Sequence, residues 1–203
     1  MFVSDFIINN GVLVKYNGND KKIVIPNGIE IIGNNAFEDS PTLNEVIIPQ
    51  GVRIIGTKAF GLCNNLYSVE LPNTLEKISD FAFYECGLKN IIVPDSVNHI
   101  GISAFARCSQ LQKIKLPKCM IYIGAKVFME CENLGSISVP DGIVSIHKSA
   151  FADCKNLQSV VIPDSVTDIA SYAFCDCINL RDVIAKNLRT VGYKAFDNCI
   201  WKP

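Results

Sequence analysis

The stretch NLQSVVIPDSVTDIASYAFCDC, residues 156–177, contains one complete copy of a pattern that recurs along the chain. Val160 and Ile162 alternate with Val161, which is typical of a half-buried strand. Pro163 ends that strand because proline has no N–H to donate to a continuing ladder. At the end of the stretch, the Ala-Phe-x-x-Cys segment places apolar side chains three residues apart, the spacing of one helical turn. One unit therefore predicts a strand, a return across the core and a short helical turn.

The Ala-Phe segment recurs every 22 or 23 residues, with valine replacing the alanine once. Its phenylalanine stands at eight positions: Phe37, Phe60, Phe83, Phe105, Phe128, Phe151, Phe174 and Phe196. A cysteine follows three residues later in every unit except the first, where Ser40 takes that place. A unit of this length cannot bury both of its faces alone, so the repeats predict a solenoid in which each coil stacks on the next. Strand pairing sets about 4.8 Å per coil, which gives a rod roughly 35–40 Å long.

The Leu-x-x-Val-x-Ile strand and this period resemble the leucine-rich repeat superfamily. The added Pro, Ile-Gly, Ala-Phe and Cys positions resemble its bacterial surface-protein class, the BspA-like or Treponema-type repeats. The resemblance covers about residues 21–199, although proline stands near the place where the commonest leucine-rich repeats have asparagine. It implies a right-handed solenoid with a parallel β-sheet on the concave face and short helical turns on the convex face. It also implies adhesion or protein–protein contact, with no catalytic residues.

Both ends of the chain depart from the period. We expect residues 1–20 to form a hairpin cap, because the Asn-Gly pair at residues 10–11 is a strong turn signal and a solenoid needs its first coil covered. Residues 21–199 hold the eight repeats, and residues 200–203 form a short tail. Trp201 is expected either to lie over the final coil or to leave that end open for contact with a second copy, a possible homodimer.

The composition argues against several functions. The net charge is −1, from 19 Lys plus Arg and 20 Asp plus Glu, so the surplus of positive charge that nucleic acid binding requires is missing. The longest stretch without a charged residue has 11 residues, as at 59–69, whereas a membrane-spanning helix needs about 20 apolar residues. Residues 1–5 do not begin a secretory signal. We therefore predict no nucleic acid partner, no membrane insertion, and an intracellular location if the chain is complete. A cell-surface location is expected if the chain is part of a larger secreted protein.

Most of the nine cysteines are predicted to form a ladder of free thiols. Stacked coils place equivalent side chains about 4.8 Å apart, whereas the Cβ atoms of a disulfide are about 3.8 Å apart. No close Cys-x-x-Cys pair occurs, so we expect no metal and no cofactor. Cys119 takes a turn position and is predicted to be exposed. The inward repeat position holds seven cysteines: Cys63, Cys86, Cys108, Cys131, Cys154, Cys177 and Cys199.

No group of residues in the sequence predicts catalysis. The two histidines, His99 and His147, lie two repeats apart at different repeat positions, so we expect separate surface residues that do not meet in one site. No serine or cysteine has a base partner, and no glycine-rich phosphate loop follows a strand. The prediction is that this chain is not an enzyme.

The variable outward positions of the strands are the candidate binding site. Because stacking fixes the core positions, information about a ligand can reside only in the variable ones. The basic middle of this face suits an acidic protein segment or a polysaccharide, although these residues can also be read as merely solvating the sheet. The prediction is a non-catalytic protein–protein interaction module, and the alternative is a cell-surface adhesin or structural stalk. The candidate residues are Glu45, Tyr67, Glu70, Lys89, Lys113, Lys115 and Lys118.

Overall fold

A computed structural model describes residues 5–202 of the chain as a parallel β-solenoid of about eight turns. This confirms the predicted fold class. The first four residues of the predicted cap and the last residue of the predicted tail lie outside the described residues. The division of the chain at residues 20 and 199 stays a prediction.

The first sheet is formed by three-residue strands, one from each coil. In each of these strands the central side chain points into the core and its two neighbours point outward, as at Val46 between Glu45 and Ile47. This is the alternation that the sequence predicted. The strands are β3 (Lys22–Val24), β5 (Glu45–Ile47), β7 (Ser68–Glu70), β9 (Asn90–Ile92), β11 (Lys113–Lys115), β13 (Ser136–Ser138), β15 (Ser159–Val161) and β17 (Asp182–Ile184).

The second sheet consists mainly of two-residue strands, and the sequence analysis did not foresee it. Alternation of apolar and polar residues becomes visible only over about four residues or more, so such short strands leave no pattern. Their second residue is the recurring isoleucine or valine of the repeat. The strands are β4 (Ile31–Ile32), β6 (Ile54–Ile55), β8 (Lys77–Ile78), β10 (His99–Ile100), β12 (Tyr122–Ile123), β14 (Ser145–Ile146), β16 (Asp168–Ile169) and β18 (Thr190–Val191).

The Ala-Phe segments form consecutive turns, where the sequence predicted a helical turn. Tyr172 and Asp176, on either side of Ala173 and Phe174, have φ values of 62° and 61°, and equivalent residues in the other coils also have positive φ. A helix requires a φ near −63° at every residue, so it cannot include these positions. Alternate N–H groups instead donate to the next coil, as Phe151 does to the Ala173 carbonyl over 2.7 Å. The turn side is thus a third hydrogen-bonded ladder between coils.

The phenylalanines of the repeat form one continuous stack through the core. Their rings are nearly parallel, with centroids 4.8–5.8 Å apart from Phe37 to Phe196. At the N-terminal end the stack continues through Tyr16, 5.3 Å from Phe37. At the other end the Trp201 ring packs edge-on against Phe196, with centroids 4.7 Å apart, and the backbone N–H of Trp201 donates to the Leu180 carbonyl. Trp201 therefore lies over the final coil, the first of the two predicted arrangements.

An antiparallel hairpin precedes the first coil. Its strands are β1 (Phe6–Asn9) and β2 (Val12–Tyr16). Asn10 and Gly11, between them, both have positive φ, which matches the turn that an Asn-Gly pair favours. Strand β2 also pairs in parallel with β4, so the hairpin adds to the second sheet and covers its first edge.

Both sheets are interrupted near the middle of the solenoid, and the first sheet is also interrupted between β7 and β9. Strand β11 pairs with β9 but not with β13, and β12 pairs with β14 but not with β10. The segment 116–121, which we call the joint, therefore carries the chain from one paired half to the other. On the turn side the ladder continues, since the Phe105 N–H donates to the Val127 carbonyl over 3.0 Å. The widest spacing in the ring stack, 5.8 Å between Phe105 and Phe128, lies at the same level.

Candidate functional site

Three of the predicted site residues form a network on the N-terminal part of the first sheet. Glu45 accepts hydrogen bonds from Lys22 at 2.9 Å and from the Tyr67 hydroxyl at 2.7 Å, and the Lys89 ammonium lies 5.7 Å from the centre of the Tyr67 ring. The hydrogen bond from Lys22 lowers the pKa of the Glu45 carboxyl, and the hydrogen bond to Glu45 raises the pKa of Tyr67. The register of the strands explains this cluster, because Lys22 pairs with Glu45 in adjacent coils.

Glu70 lies apart from this network, beside the lysines of β11. It borders an open groove of about 790 Å³ that also includes Ile92, Lys113 and Lys115. The groove lies where the first sheet is interrupted between β7 and β9. Ile92, which the sequence analysis left outside the site, is 68% exposed here and gives the groove an apolar contact surface.

The three remaining candidate residues, Lys113, Lys115 and Lys118, lie on β11 and in the joint that follows it. None of the three ammonium groups forms an ion pair within residues 5–202. Lys113 and Lys115 point to the same side of one strand, about 6.6 Å apart along it. The backbone N–H of Lys118 donates to the Asp95 carboxylate at 3.2 Å, which ties the joint to the preceding coil. We call these three lysines the basic centre.

A second groove, of about 820 Å³, extends from the basic centre over the C-terminal part of the sheet. Lys115, Lys118 and Lys186 line it together with two carboxylates, Asp141 and Asp164. Its floor is apolar and includes Val161 and Ile184, which is 56% exposed. Lys186 was not predicted, because it takes the repeat position that proline holds in the preceding coils.

The ladder cysteines are free thiols with a shared structural role. All nine cysteines of the chain are unpaired, and Cys119 is exposed as predicted. Each ladder thiol donates a hydrogen bond to the phenylalanine carbonyl of the preceding coil, as Cys108 does to Phe83 at 3.0 Å. Burial raises the pKa of the Cys108 thiol to about 12. Cys108 therefore remains a protonated donor rather than a reactive thiolate, whereas the hydrogen bond with Cys86 lowers the pKa of the Cys63 thiol.

The prediction that the two histidines do not share a site is wrong. Both line one cleft on the second sheet, with Tyr122 between them. The Tyr122 hydroxyl lies 3.4 Å from His99 Nδ1, and its ring stacks on that of His147 with centroids 4.8 Å apart. The repeat positions of the two histidines do not by themselves reveal this contact, because it depends on the tyrosine in the intervening coil. The side chain of that tyrosine reaches both histidines.

Two kinds of feature are absent from residues 5–202. No three His, Cys, Asp or Glu side chains in this part of the chain come together as possible metal ligands. Within the same range, no helix has the length and apolar character to cross a bilayer.

The stacked coils, their inward leucine, phenylalanine and cysteine positions and their parallel strands define a leucine-rich-type solenoid. The chain belongs to the BspA-type leucine-rich repeat family: the profile of the BspA type leucine rich repeat region, in six copies, matches residues 14–112 and 76–202. Proteins of this type have protein-interaction or surface-protein roles and are typically non-catalytic.

Solved structures agree with this assignment. The leucine-rich repeat protein TpLRR of T. pallidum is 28% identical with a TM-score of 0.83, and the match covers 89% of this chain and 90% of that one. A leucine-rich repeat protein of Bacteroides ovatus is 23% identical with a TM-score of 0.55, over 89% of this chain and 76% of that one. The pneumococcal vaccine antigen PcpA is 23% identical with a TM-score of 0.58, over 90% of this chain and 46% of that one. The last two similarities concern the fold alone. A search of curated proteins found no match.

Proposed function

We propose that this chain is a non-catalytic interaction module that binds an acidic protein segment on the outer face of its first sheet. The observation that carries the proposal is the basic centre, three lysines on β11 and just after it that form no ion pair within residues 5–202. Their mutual repulsion is relieved when a ligand supplies carboxylates. Exposed charges of this kind chiefly raise the rate of association and make it salt-dependent.

The surroundings of the basic centre support an extended peptide as the ligand. Grooves lie on both sides of Lys115, and each presents an exposed aliphatic side chain, Ile92 in one and Ile184 in the other. Apolar contacts of this kind supply affinity, while the lysines supply orientation and specificity. Acidic residues alternating with aliphatic ones match both features.

A polysaccharide is the other ligand class that a mixed polar face can accept. Sugar rings are commonly held against aromatic side chains, and Tyr67 is the aromatic residue on this face. Tyr67 is 38% exposed, but its hydroxyl donates to Glu45 and the Lys89 ammonium lies over its ring, so a sugar that stacks on the ring must first displace Lys89. The contacts of Tyr67 therefore favour the protein ligand.

The test is affinity capture from matched cytosolic and extracellular extracts with the wild-type chain and the variant Lys113→Glu/Lys115→Glu/Lys118→Glu. A matched control, Lys126→Glu/Lys148→Glu/Lys202→Glu, makes the same change of net charge with lysines that are exposed elsewhere. We expect a partner that wild type and control retain and the basic-centre variant loses. Capture that all three chains share, or no partner in either extract, contradicts the proposal.

A second function, as a surface adhesin or structural stalk, is favoured by the continuity of the core. The ring stack and the turn-side ladder run through every coil, so the repeats form a single stiff unit. A stalk presents length rather than a particular site, so its function tolerates charge reversal at the basic centre. The capture experiment distinguishes the two functions, because only the interaction module depends on those lysines.

A further inference from the structure

A cleft on the second sheet lies on a different face from the basic centre. It opens where β10 and β12 fail to pair, and it has a volume of about 450 Å³, within the range of small-molecule sites. The residues that line it come from five successive coils. Lys77, His99, Tyr122, Gly124 and His147 are among the residues that line it.

The backbone at this cleft lacks a hydrogen bond that the other coils have. In the seven other coils of residues 5–202, the N–H that follows the second-sheet strand donates to the preceding coil, as Gly101 does to Ile78 over 2.9 Å. Among residues 5–202, the equivalent N–H of Gly124 has no such partner. Gly124 is nevertheless a buried residue, and an unpaired buried N–H is costly. The Gly124 N–H is thus a donor available to a ligand in the cleft.

The preceding coil lies farther from Gly124 than the equivalent coil lies from Gly101. A Cβ atom added at Gly101 would lie 2.4 Å from Asp80 Oδ1 and 2.5 Å from its backbone nitrogen. At Gly124 the nearest atoms to such a Cβ are Val127 Cγ2 at 3.2 Å and the Ile100 carbonyl at 3.3 Å. The corner is therefore less tightly packed at Gly124 than at Gly101, although an added Cβ would still require its neighbours to shift slightly.

Hydrogen-bond donors predominate among the groups that line the cleft. Lys77 pairs in register with His99 and brings a positive charge, and neither residue forms an ion pair within the described part of the chain. Asp80 is the carboxylate among the lining residues, and its Oδ1 accepts the Ile102 N–H at 2.8 Å. A ligand that fits this arrangement must contribute acceptors.

We propose that the cleft binds the anionic group of a small ligand, a carboxylate or a phosphate. The Lys77 ammonium supplies the charge, and the Gly124 N–H and the imidazole N–H groups of His99 and His147 donate hydrogen bonds. Charge-assisted hydrogen bonds from such donors are roughly twice as strong as neutral ones. The residues of this cleft are distinct from those of the proposed peptide-binding face.

The test uses the imidazole proton signals in an NMR titration. The chain has two histidines and both line the cleft, so both signals report on it. Inorganic phosphate and acetate are the two probes, with sodium chloride at matched ionic strength and constant pH as the reference. We expect saturable shifts of both imidazole signals and of the Gly124 amide signal. Lys77→Ala should weaken binding about tenfold, whereas Lys202→Ala, at an exposed lysine outside both proposed sites, should leave it unchanged.

The two anions separate the sources of the recognised group. Saturation by phosphate alone identifies a phosphate ligand, saturation by acetate alone identifies a carboxylate, and saturation by both supports the shared chemistry. If neither anion shifts the signals more than chloride does, the proposal is wrong. It is equally wrong if the affinity is the same in Lys77→Ala as in wild type, because the binding then does not use the cleft.

Discussion

Replacement of Phe83 tests whether the stack of rings stabilises the solenoid beyond its burial. Phe83 is fully buried, and its ring lies parallel to those of Phe60 and Phe105, with both centroid distances 5.3 Å. An aromatic pair contributes about 0.5–1.5 kcal/mol beyond the area that it buries. Leucine retains most of the buried apolar surface but neither ring contact, so Phe83→Leu should lower the free energy of unfolding by about 1–3 kcal/mol. Phe83→Ala adds a cavity and should cost about 3–5 kcal/mol.

Urea unfolding followed by circular dichroism measures these losses. Phe81→Leu is a matched control, because the Phe81 ring lies outside the stack and makes one edge contact, with Tyr84 at 5.7 Å. We expect this variant to lose no more than half as much free energy as Phe83→Leu. If the slope of the free energy of unfolding against urea concentration is the same as in wild type, the coils still unfold together. The reasoning is refuted if Phe83→Leu lies within about 0.5 kcal/mol of wild type, since two lost ring pairs should exceed that.

Two further predictions concern the turns and the thiols. Lys126 is exposed and has a φ of 56°, so Lys126→Gly should relieve backbone strain and raise the free energy of unfolding by about 0.5–1 kcal/mol. The control is Lys148→Gly, at an exposed position without positive φ, which should lower the free energy of unfolding by about as much. Urea midpoints test this, and a change of the same sign in both variants contradicts it. Burial raises the pKa of the Cys108 thiol from 9.0 to about 12, so the folded chain holds that proton more tightly than the unfolded chain. The contribution of this thiol to the free energy of unfolding should be fully present below about pH 9 and should decline as the pH rises towards 12. In Cys108→Ala the free energy of unfolding should therefore fall less steeply with pH, by about 1.4 kcal/mol per pH unit. Equal slopes for wild type and variant between pH 9 and 11 would contradict this.

The parts of the structure that follow from the repeat itself were predictable. The positions of Phe83 and Cys108 recur in register, and stacking of equivalent coils leaves only inward directions for both. The alternation around Val160 likewise fixes which residues of the first sheet face outward. In each case the same physical requirement acts in every coil, so repetition makes the signal plain.

The geometry of the turn side was not predictable from spacing alone. Side chains three residues apart share a face both in a helical turn and in two consecutive turns, so the Ala-Phe-x-x-Cys pattern fits either one. Asn35, Asp39 and Asp153 hinted at the observed geometry, because asparagine and aspartate tolerate positive φ better than other residues. Tyr172 and Leu62 at equivalent positions obscured that hint.

The joint lies where the strands of neighbouring coils are not hydrogen-bonded to each other, and the repeat pattern gives no sign of this. One signal was nevertheless present at Cys119. In the equivalent position of earlier coils, the hydroxyls of Thr74 and Ser96 donate to carbonyls of the preceding coil, at 2.9 and 2.6 Å. Within residues 5–202, Cys119 forms no such bond, although its neighbours keep the spacing of the repeat. Comparison of the polar side chains at this one position, rather than of the apolar ones, points to a coil that is less firmly attached.

Both candidate sites border the joint, and a physical reason connects them. Where neighbouring coils pair, their backbone donors and acceptors satisfy one another and leave neither space nor free groups for a ligand. The grooves on each side of Lys115 and the cleft at Gly124 all lie at interruptions of the sheets. On the turn side the two halves remain connected, since Arg107 bridges Glu85 and Glu130, each at 3.0 Å. The turn side therefore joins the coils on both sides of the joint. A ligand that changes the spacing of these coils on one sheet should change it on the other sheet as well.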